Sequence, residues 1–232
     1  LRHSWQRCNA YGLVPTGRMQ GAPHASAAQL ARAMDYQHEL ASHARPVMEF
    51  VFEQIRETDS MIILADAQGM LLQSLGDASF LDRAERVALR PGANWHEQWR
   101  GTNAIGTAIA DATTCVVHAG EHYLERNRFL TCTAAPIIDP TGRLLGVLDI
   151  SGDHRGYHLH TMALVKMSAR MIENHWLTDD YRKVMRLHFH GRVEFIGTLM
   201  EGILAVDPDG KIVGANRGAL EQLGMSGATL RM

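Results

Sequence analysis

The sequence predicts an α+β fold, with one antiparallel sheet flanked by helices, a long C-terminal helix and a further strand–turn–strand segment. Three observations carry this reading. First, a short apolar run, a tight turn and a second apolar run follow one another at residues 61–75, 136–150 and 202–213. The turns are Asp66-Ala67-Gln68-Gly69, Asp139-Pro140-Thr141-Gly142 and Asp207-Pro208-Asp209-Gly210. Such turns close antiparallel hairpins, whereas parallel strands need long crossovers. Second, single helical stretches stand between the hairpins instead of alternating regularly with strands, which favours α+β over a doubly wound sheet. Third, residues 158–190 hold the longest helical pattern in the chain.

The elements follow in order. Residues 1–23 hold a short helical stretch and then a loop containing Gly12, Pro15, Gly17, Gly21 and Pro23. Ser26 is placed to cap a helix. Leu30, Met34, Leu40, Ala44, Val47, Val51 and Ile55 trace one apolar stripe, which Pro46 is expected to break into two helices. Between the first two hairpins come a short helix near 77–85, a loop at Pro91-Gly92, and a helix capped by Thr102 that runs to Asp111. A strand over 115–118 follows, then a helical turn from Glu121 and a strand around Cys132. In the long helix, Met162, Val165, Ala169, Ile172 and Trp176 follow the 3-4 spacing of a coiled-coil seam. They are expected to meet a second copy of the chain, with intramolecular core as the alternative. Leu164, Met167 and Met171 lie on another face.

Composition narrows the function classes. With 23 Lys plus Arg against 25 Asp plus Glu and a formal charge of -2, the 232 residues carry no excess of positive charge for a duplex. No apolar run reaches the roughly 18 residues needed to span a bilayer, and the opening Leu1-Arg2-His3-Ser4-Trp5 lacks the apolar core of a signal peptide. The expectation is a trimmed fragment of a cytoplasmic protein with no membrane partner. Cys8, Cys115 and Cys132 are far apart and form no metal spacing, so reduced thiols are expected. His118 and His122, and the group His154, His158 and His160, invite a metal site, but Gly120 interrupts the first pair and the second sits at a loop-to-helix junction. No metal or cofactor is expected. No nucleophile elbow, phosphate-binding loop or carboxylate pair stands out, so an enzyme is not expected either.

The block 101–109, Gly-Thr-Asn-Ala-Ile-Gly-Thr-Ala-Ile, is more informative. Gly106 inside a helix costs about 1 kcal/mol relative to Ala, which marks a close approach by sheet or ligand. Trp95, Trp99, Tyr123 and Phe129 add aromatic surface around it. These features suit an apolar pocket with a few polar groups; a filled core is the alternative.

Several of these segments, in order, resemble the AcoR-like (acetoin-, dihydroxyacetone- or alcohol-responsive) sigma-54-dependent transcriptional activators. They are Ser4-Trp5-Gln6-Arg7-Cys8 with Tyr11-Gly12-Leu13, Trp95-His96-Glu97, the Gly101–Ala108 block, Glu121-His122, Cys132-Thr133-Ala134-Ala135-Pro136-Ile137, and residues 146–152. The resemblance runs from about residue 2 to residue 175. It implies an N-terminal helical region (1–45), a GAF-type sensor domain (46–157) and a signalling and dimerisation helix (158–190). The segment 191–232 resembles the start of a PAS domain, incomplete against the ~100 residues such a domain needs.

The function expected is therefore that of a sensory region. A small neutral oxygenated metabolite (an alcohol, diol or ketone) would bind the GAF-type domain, and a dimer rearrangement would relay the signal. The alternative is an interaction module that senses a metabolic enzyme and has no ligand of its own. The candidate ligand-binding residues are Trp95, Trp99, Thr102, Asn103, Gly106, His118, His122, Cys132 and Asp149. The resemblance places contacts with DNA and sigma-54 RNA polymerase, and an AAA+ ATPase, in domains outside these residues.

Overall fold

Three Asp-led turns set the frame of the molecule. In the computed structural model, which describes residues 1–17 and 21–225, Asp66 Oδ1 accepts from the backbone N–H of Gln68 and Met70 at 2.9 and 2.8 Å. Asp139 Oδ1 does the same for Thr141 and Arg143, and Asp207 Oδ1 for Asp209 and Lys211. Gly69, Gly142 and Gly210 close the turns at φ of 84, 83 and 81°, angles that a side chain would strain.

The first two turns join β1 (Ser60–Asp66) to β2 (Leu71–Gly76) and β4 (Leu130–Ile138) to β5 (Leu144–Asp153). With β3 (Cys115–His118) they form a five-stranded sheet of order β2-β1-β5-β4-β3. β1 pairs antiparallel with both β2 and β5, and β3 with β4. The chain divides into two compact units. The first comprises Leu1–Pro136 and Gly146–Ser168; the second comprises Ile137–Leu145 and the chain from Ala169.

In the first unit, α1 (Arg2–Ala10) leads to α2 (Ala27–Tyr36) and α3 (His38–Ile55). Ser26 caps α2 in a reciprocal capping box with Gln29. The break in the apolar stripe falls at Gln37 and not at Pro46, which lies inside α3. A proline there removes one helical hydrogen bond. The helix continues because Leu40, Ala44, Val47, Met48, Val51 and Ile55 are all buried along one side, packed on β1 and β2. The boundary expected at residue 46 therefore cuts through a helix. On the other face of the sheet, α4 (Ala78–Glu85), α5 (Glu97–Arg100) and α6 (Ala104–Asp111) enclose a core that includes Met61, Ile63, Phe80, Trp95, Ile105 and Cys132. The cap of α6 is Asn103, one residue after the Thr102 expected.

α7 (His160–Asp180) is the longest helix, but it ends ten residues before the expected limit. Residues 185–189 instead form β6 (Met185–Phe189), which pairs with β7 (Gly202–Val206), itself paired with β8 (Ile212–Ala215). Met185-Arg186-Leu187-His188-Phe189 has no β-branched residue and leaves Met185 and Leu187 exposed. Only pairing with β7 makes it a strand, a tertiary effect that local propensity does not carry. In the second unit, Asn216 caps α8 (Arg217–Leu223) and also accepts from the Ile203 N–H. Buried Glu173 accepts from the Ile138 N–H at 2.8 Å and pairs with Arg217. A cavity of about 240 Å³ lies beside them, bordered by Pro140, Asn216 and Leu220. Residues 226–232 of the expected PAS-like segment lie outside the described residues.

Val165, Ala169, Ile172 and Trp176, four of the five residues expected to meet a second copy, are buried within the single chain. Met162 is exposed, as are Leu159 and Met167. The 3-4 spacing thus marks a row packed inside the chain, and an interface made by this helix would use exposed side chains such as Met162 and Met167.

Candidate functional site

The Gly101–Thr107 block is a joint of backbone hydrogen bonds. Asn103 Oδ1 accepts from the Gly106 N–H at 2.9 Å, while its Nδ2 donates to the carbonyls of Trp95 and Gly101 at 3.0 and 2.8 Å. A Cβ on Gly106 would stand 2.7 Å from the Glu97 nitrogen and 2.9 Å from the Trp95 carbonyl oxygen, so only glycine lets α6 approach so closely. Trp95 is buried and donates from its indole to the Ala88 carbonyl at 2.9 Å. Buried Arg100 lies over the Trp95 ring at 5.6 Å and donates to the carbonyls of Asn94 and Val87. Burial pushes its pKa down to about 10.

The N-terminal helix is tied to this joint by buried polar groups. Ser4 Oγ donates to Glu97 Oε1 at 2.5 Å and lies 2.7 Å from Thr102 Oγ1. Thr107 Oγ1 donates to the same Glu97 oxygen at 2.7 Å. Arg7 grips both Glu97 oxygens, at 2.6 and 3.0 Å, and reaches Asp111 at 2.9 Å. Burial alone would raise the Glu97 pKa; the bonds from Arg7, Ser4 and Thr107 outweigh it and hold the carboxyl below its ordinary value. Trp5 packs edge-on against Tyr123 with ring centroids 5.1 Å apart, and the Tyr123 hydroxyl lies 2.7 Å from Asn9 Oδ1 and 2.6 Å from the Leu13 carbonyl oxygen.

A different polar group sits on the inner face of the sheet. Asp149, opposite Ile63 of β1 and two residues from Val147, points into the same core as both. It is fully buried. Ser151 Oγ donates to its Oδ2 at 2.5 Å, while Oδ1 has no hydrogen-bond partner among the described residues. The thiols of Cys115 and Cys132, on β3 and β4, are both close enough to feel its charge. Burial drives the Asp149 pKa up to about 7 against the opposing Ser151 bond, and drives Cys115 up to about 12 and Cys132 well above its ordinary value. Thiols so shifted stay protonated and are poor nucleophiles or metal ligands. Among the described residues no group of three or more His, Cys, Asp and Glu is placed to hold a metal ion.

The candidate residues are thus scattered over several places. Trp95, Thr102, Asn103 and Gly106 build the joint, and the side-chain polar atoms of Thr102 and Asn103 are engaged there. Cys132 and Asp149 share the inner face. Trp99 is half-buried, its ring close to Gly21. His118 pairs with Thr131 on the opposite face of β3 and β4, near the rings of His154 and Tyr157. His122 is buried just beyond β3: Nδ1 meets the Ala119 carbonyl, Nε2 has no partner among the described residues, and burial pushes its pKa down to about 4. Sequence reasoning misses Glu97, Arg7, Ser4, Ser151 and Asn127. Both side-chain polar atoms of buried Asn127 lack partners among the described residues. The 3-4 spacing of Ser4, Arg7 and Cys8 puts them on one helical face, a signal that could mark α1 as docked. Nothing local ties that face to Glu97, about ninety residues away.

Comparison with known proteins fits this architecture. The family model for the MimR N-terminal domain matches residues 3–174. The acetoin catabolism regulatory protein of Cupriavidus necator is 33% identical over 243 residues, covering 99% of this chain and 36% of that protein. The acetoin dehydrogenase operon transcriptional activator AcoR of Bacillus subtilis is 29% identical over 187 residues, covering 81% of this chain and 31% of that protein. The chain therefore spans about a third of the length of these curated relatives. The fold resembles the crystal structure of the E. coli DhaR(N)-DhaL complex, with a TM-score of 0.74, 18% identity, and coverage of 96% of this chain and 76% of that one. The chain belongs to the MimR N-terminal domain family, within the AcoR-like group of transcriptional regulators.

Proposed function

We propose that this chain is the sensory region of a bacterial transcriptional activator, and that its first unit, a GAF-type sensor, binds a small neutral oxygenated metabolite on the inner face of its sheet. The observation that carries the reading is Asp149, a buried carboxyl with one oxygen unpaired inside an otherwise apolar core. Buried polar atoms in folded proteins are nearly always satisfied, so an unpaired one calls for a partner such as a water or a ligand. The relatives' names give the regulatory context. The second unit is read as the start of a PAS-type domain, and α7 as the signalling helix that enters it. Dimerisation through apolar side chains left exposed near the start of α7, Leu159, Met162 and Met167 among them, would bring two sensors together. Contacts with DNA, sigma-54 RNA polymerase and ATP belong to other parts of the whole protein in this reading.

The test is the thermal midpoint of the chain against a panel of small alcohols, diols, ketones and aldehydes. A ligand that binds only the folded state raises the midpoint with concentration. A dose-dependent rise is expected for at least one class of compound. The second reading, sensing of a partner enzyme, is favoured by the similar DhaR(N) structure, which is that of a complex with DhaL. Flat midpoints across the panel at concentrations above about a millimolar would transfer the proposal to that reading.

A further inference from the structure

The two faces of the β6-β7-β8 sheet differ, and only one is closed. Directly paired residues of antiparallel strands share a face. One face carries Arg186 and His188 of β6 opposite Ala205 and Ile203 of β7, with Gly214 of β8 opposite Ala205. It lies against the end of α7 and the β4–β5 turn. Arg186 donates to the Thr178 carbonyl at 2.7 Å, and a Cβ on Gly214 would stand 2.8 Å from the Tyr181 ring and 3.1 Å from Pro140.

The other face is apolar throughout. Met185, Leu187 and Phe189 stand on it opposite Val206, Leu204 and Gly202. Leu204 and Val206 meet Ala215 and Ile212 of β8 in turn. Met185 is 56% and Leu187 44% exposed, and Phe189, Leu204 and Ile212 are only half-buried. In the first unit, by contrast, α3 packs on one face of the sheet and α4–α6 close the other. A sheet with an apolar face buries it against a second layer, and contiguous exposed apolar surface marks a contact site. No charged side chain of the three strands stands on this side, so an apolar layer fits it and an acidic or basic partner does not. α8 is tied to α7 by Arg217–Glu173 and Asn216–Asn174 and leaves Met185 and Leu187 open. The chain spans about a third of the length of its curated relatives, and the family model it matches is that of an N-terminal domain. A layer supplied by the same polypeptide acts at a high effective concentration, which a separate protein lacks.

We infer that the open face of the β6-β7-β8 sheet is the seat of a segment that follows residue 232 in the whole protein and lays an apolar stripe across Met185, Leu187 and Leu204. This rests on the reading of the second unit as the start of a larger domain.

The test compares oxidation of Met185 by dilute hydrogen peroxide in the 232-residue chain and in the whole protein, read by mass spectrometry, with buried Met61 as the protected reference. Met185 is expected to oxidise readily in the 232-residue chain. In the whole protein it is expected to react at least about tenfold more slowly, at a rate independent of protein concentration. Leu187→Glu puts a charge on the face. It is expected to leave the denaturation midpoint of the 232-residue chain nearly unchanged and to restore rapid oxidation of Met185 in the whole protein. Equal rates for Met185 in the two proteins would overturn the seat. If the β7 amides still gain hydrogen-exchange protection in the whole protein, the unit is completed elsewhere and only the seat fails. If they gain none, the incomplete-domain reading fails with it. Protection of Met185 already in the 232-residue chain, lost on dilution, would assign the face to a second copy and overturn the seat as well.

Discussion

Glu97 holds α1 against the first unit, and its removal tests whether that docking is electrostatic. Its side chain is 1% exposed and receives four hydrogen bonds: one from Ser4, one from Thr107 and two from Arg7. Glu97→Ala removes the acceptor and leaves Arg7, Ser4 and Thr107 to find other partners. Breaking a fully buried ion pair from one side costs about 3–5 kcal/mol. Arg7 is 28% exposed and keeps Asp111, so about 2–4 kcal/mol is the fitting range here. The loss falls first on α1, whose other anchors include Cys8, the Trp5–Tyr123 contact and the Asn9–Tyr123 hydrogen bond. Hydrogen exchange should therefore show the amides of residues 5–10 opening far more often in the variant, together with a lower denaturation midpoint. The pH dependence has a fixed sign. The folded pKa of Glu97 lies below its unfolded value, so its contribution is fully present above about pH 4.3 and is lost as the pH falls through the folded value. In Glu97→Ala that acid-side loss should be absent. A variant that loses under about 0.5 kcal/mol and keeps the α1 amides protected would refute an electrostatic latch.

Three further outcomes follow from the buried groups and the joint. Asp149 is raised from 3.8 to about 7, so the folded chain binds more protons than the unfolded chain between those values and stability falls as the pH rises through that window. Asp149→Asn should flatten that slope and stabilise the chain at pH 8 by up to about 4 kcal/mol, the equivalent of roughly three pKa units; denaturation at pH 5 and 8 checks it. His122 behaves oppositely: held neutral down to about pH 4, it costs stability as the pH falls below its unfolded value near 6.5, and His122→Leu should remove that loss in an acid titration of stability. Gly106→Ala should destabilise by about 1–3 kcal/mol in urea, although alanine favours a helix by about 1 kcal/mol, because the new Cβ meets backbone atoms of Glu97 and Trp95.

How far the sequence reaches depends on the range of the signal. The three hairpins are legible because Asp, Gly and the flanking apolar runs act within five residues. Even so, proline draws the eye, while the Asp side chain and the closing glycine are what all three turns share. Pro46 misleads because its local cost is visible in the sequence, whereas the buried residues that hold α3 to the sheet act only in the fold. β6 escapes because its partner β7 lies beyond a connection of a dozen residues. Among the site residues, Asn103 and Gly106 suggest a ligand, but their spacing encodes a helix start pressed against the Trp95–Glu97 backbone. Cys132 and Asp149 stand beside them as candidates on little more than position, and they lie together on one face. The unpaired oxygen that makes Asp149 distinctive exists only once the core has closed around it.

The two polar clusters are not independent, because α6 separates them. Thr107 faces outward to Glu97 and through it to Ser4 and Arg7. Ala104, Ile105 and Ala108 face inward, and the Ala104 carbonyl takes the thiol of Cys115, one of the two that feel the Asp149 charge. α6 is eight residues long, with a glycine in its first turn pressed on backbone, and packed interiors yield by discrete shifts of whole elements. Anything that moved α6 to admit a ligand beside Asp149 would thus displace Thr107 from Glu97 as well. In the proposed sensing reading, the ion pair that docks α1 would therefore change with occupancy of the inner face. On this geometry the N-terminal helix is packed into the first unit through the same carboxylate that α6 contacts.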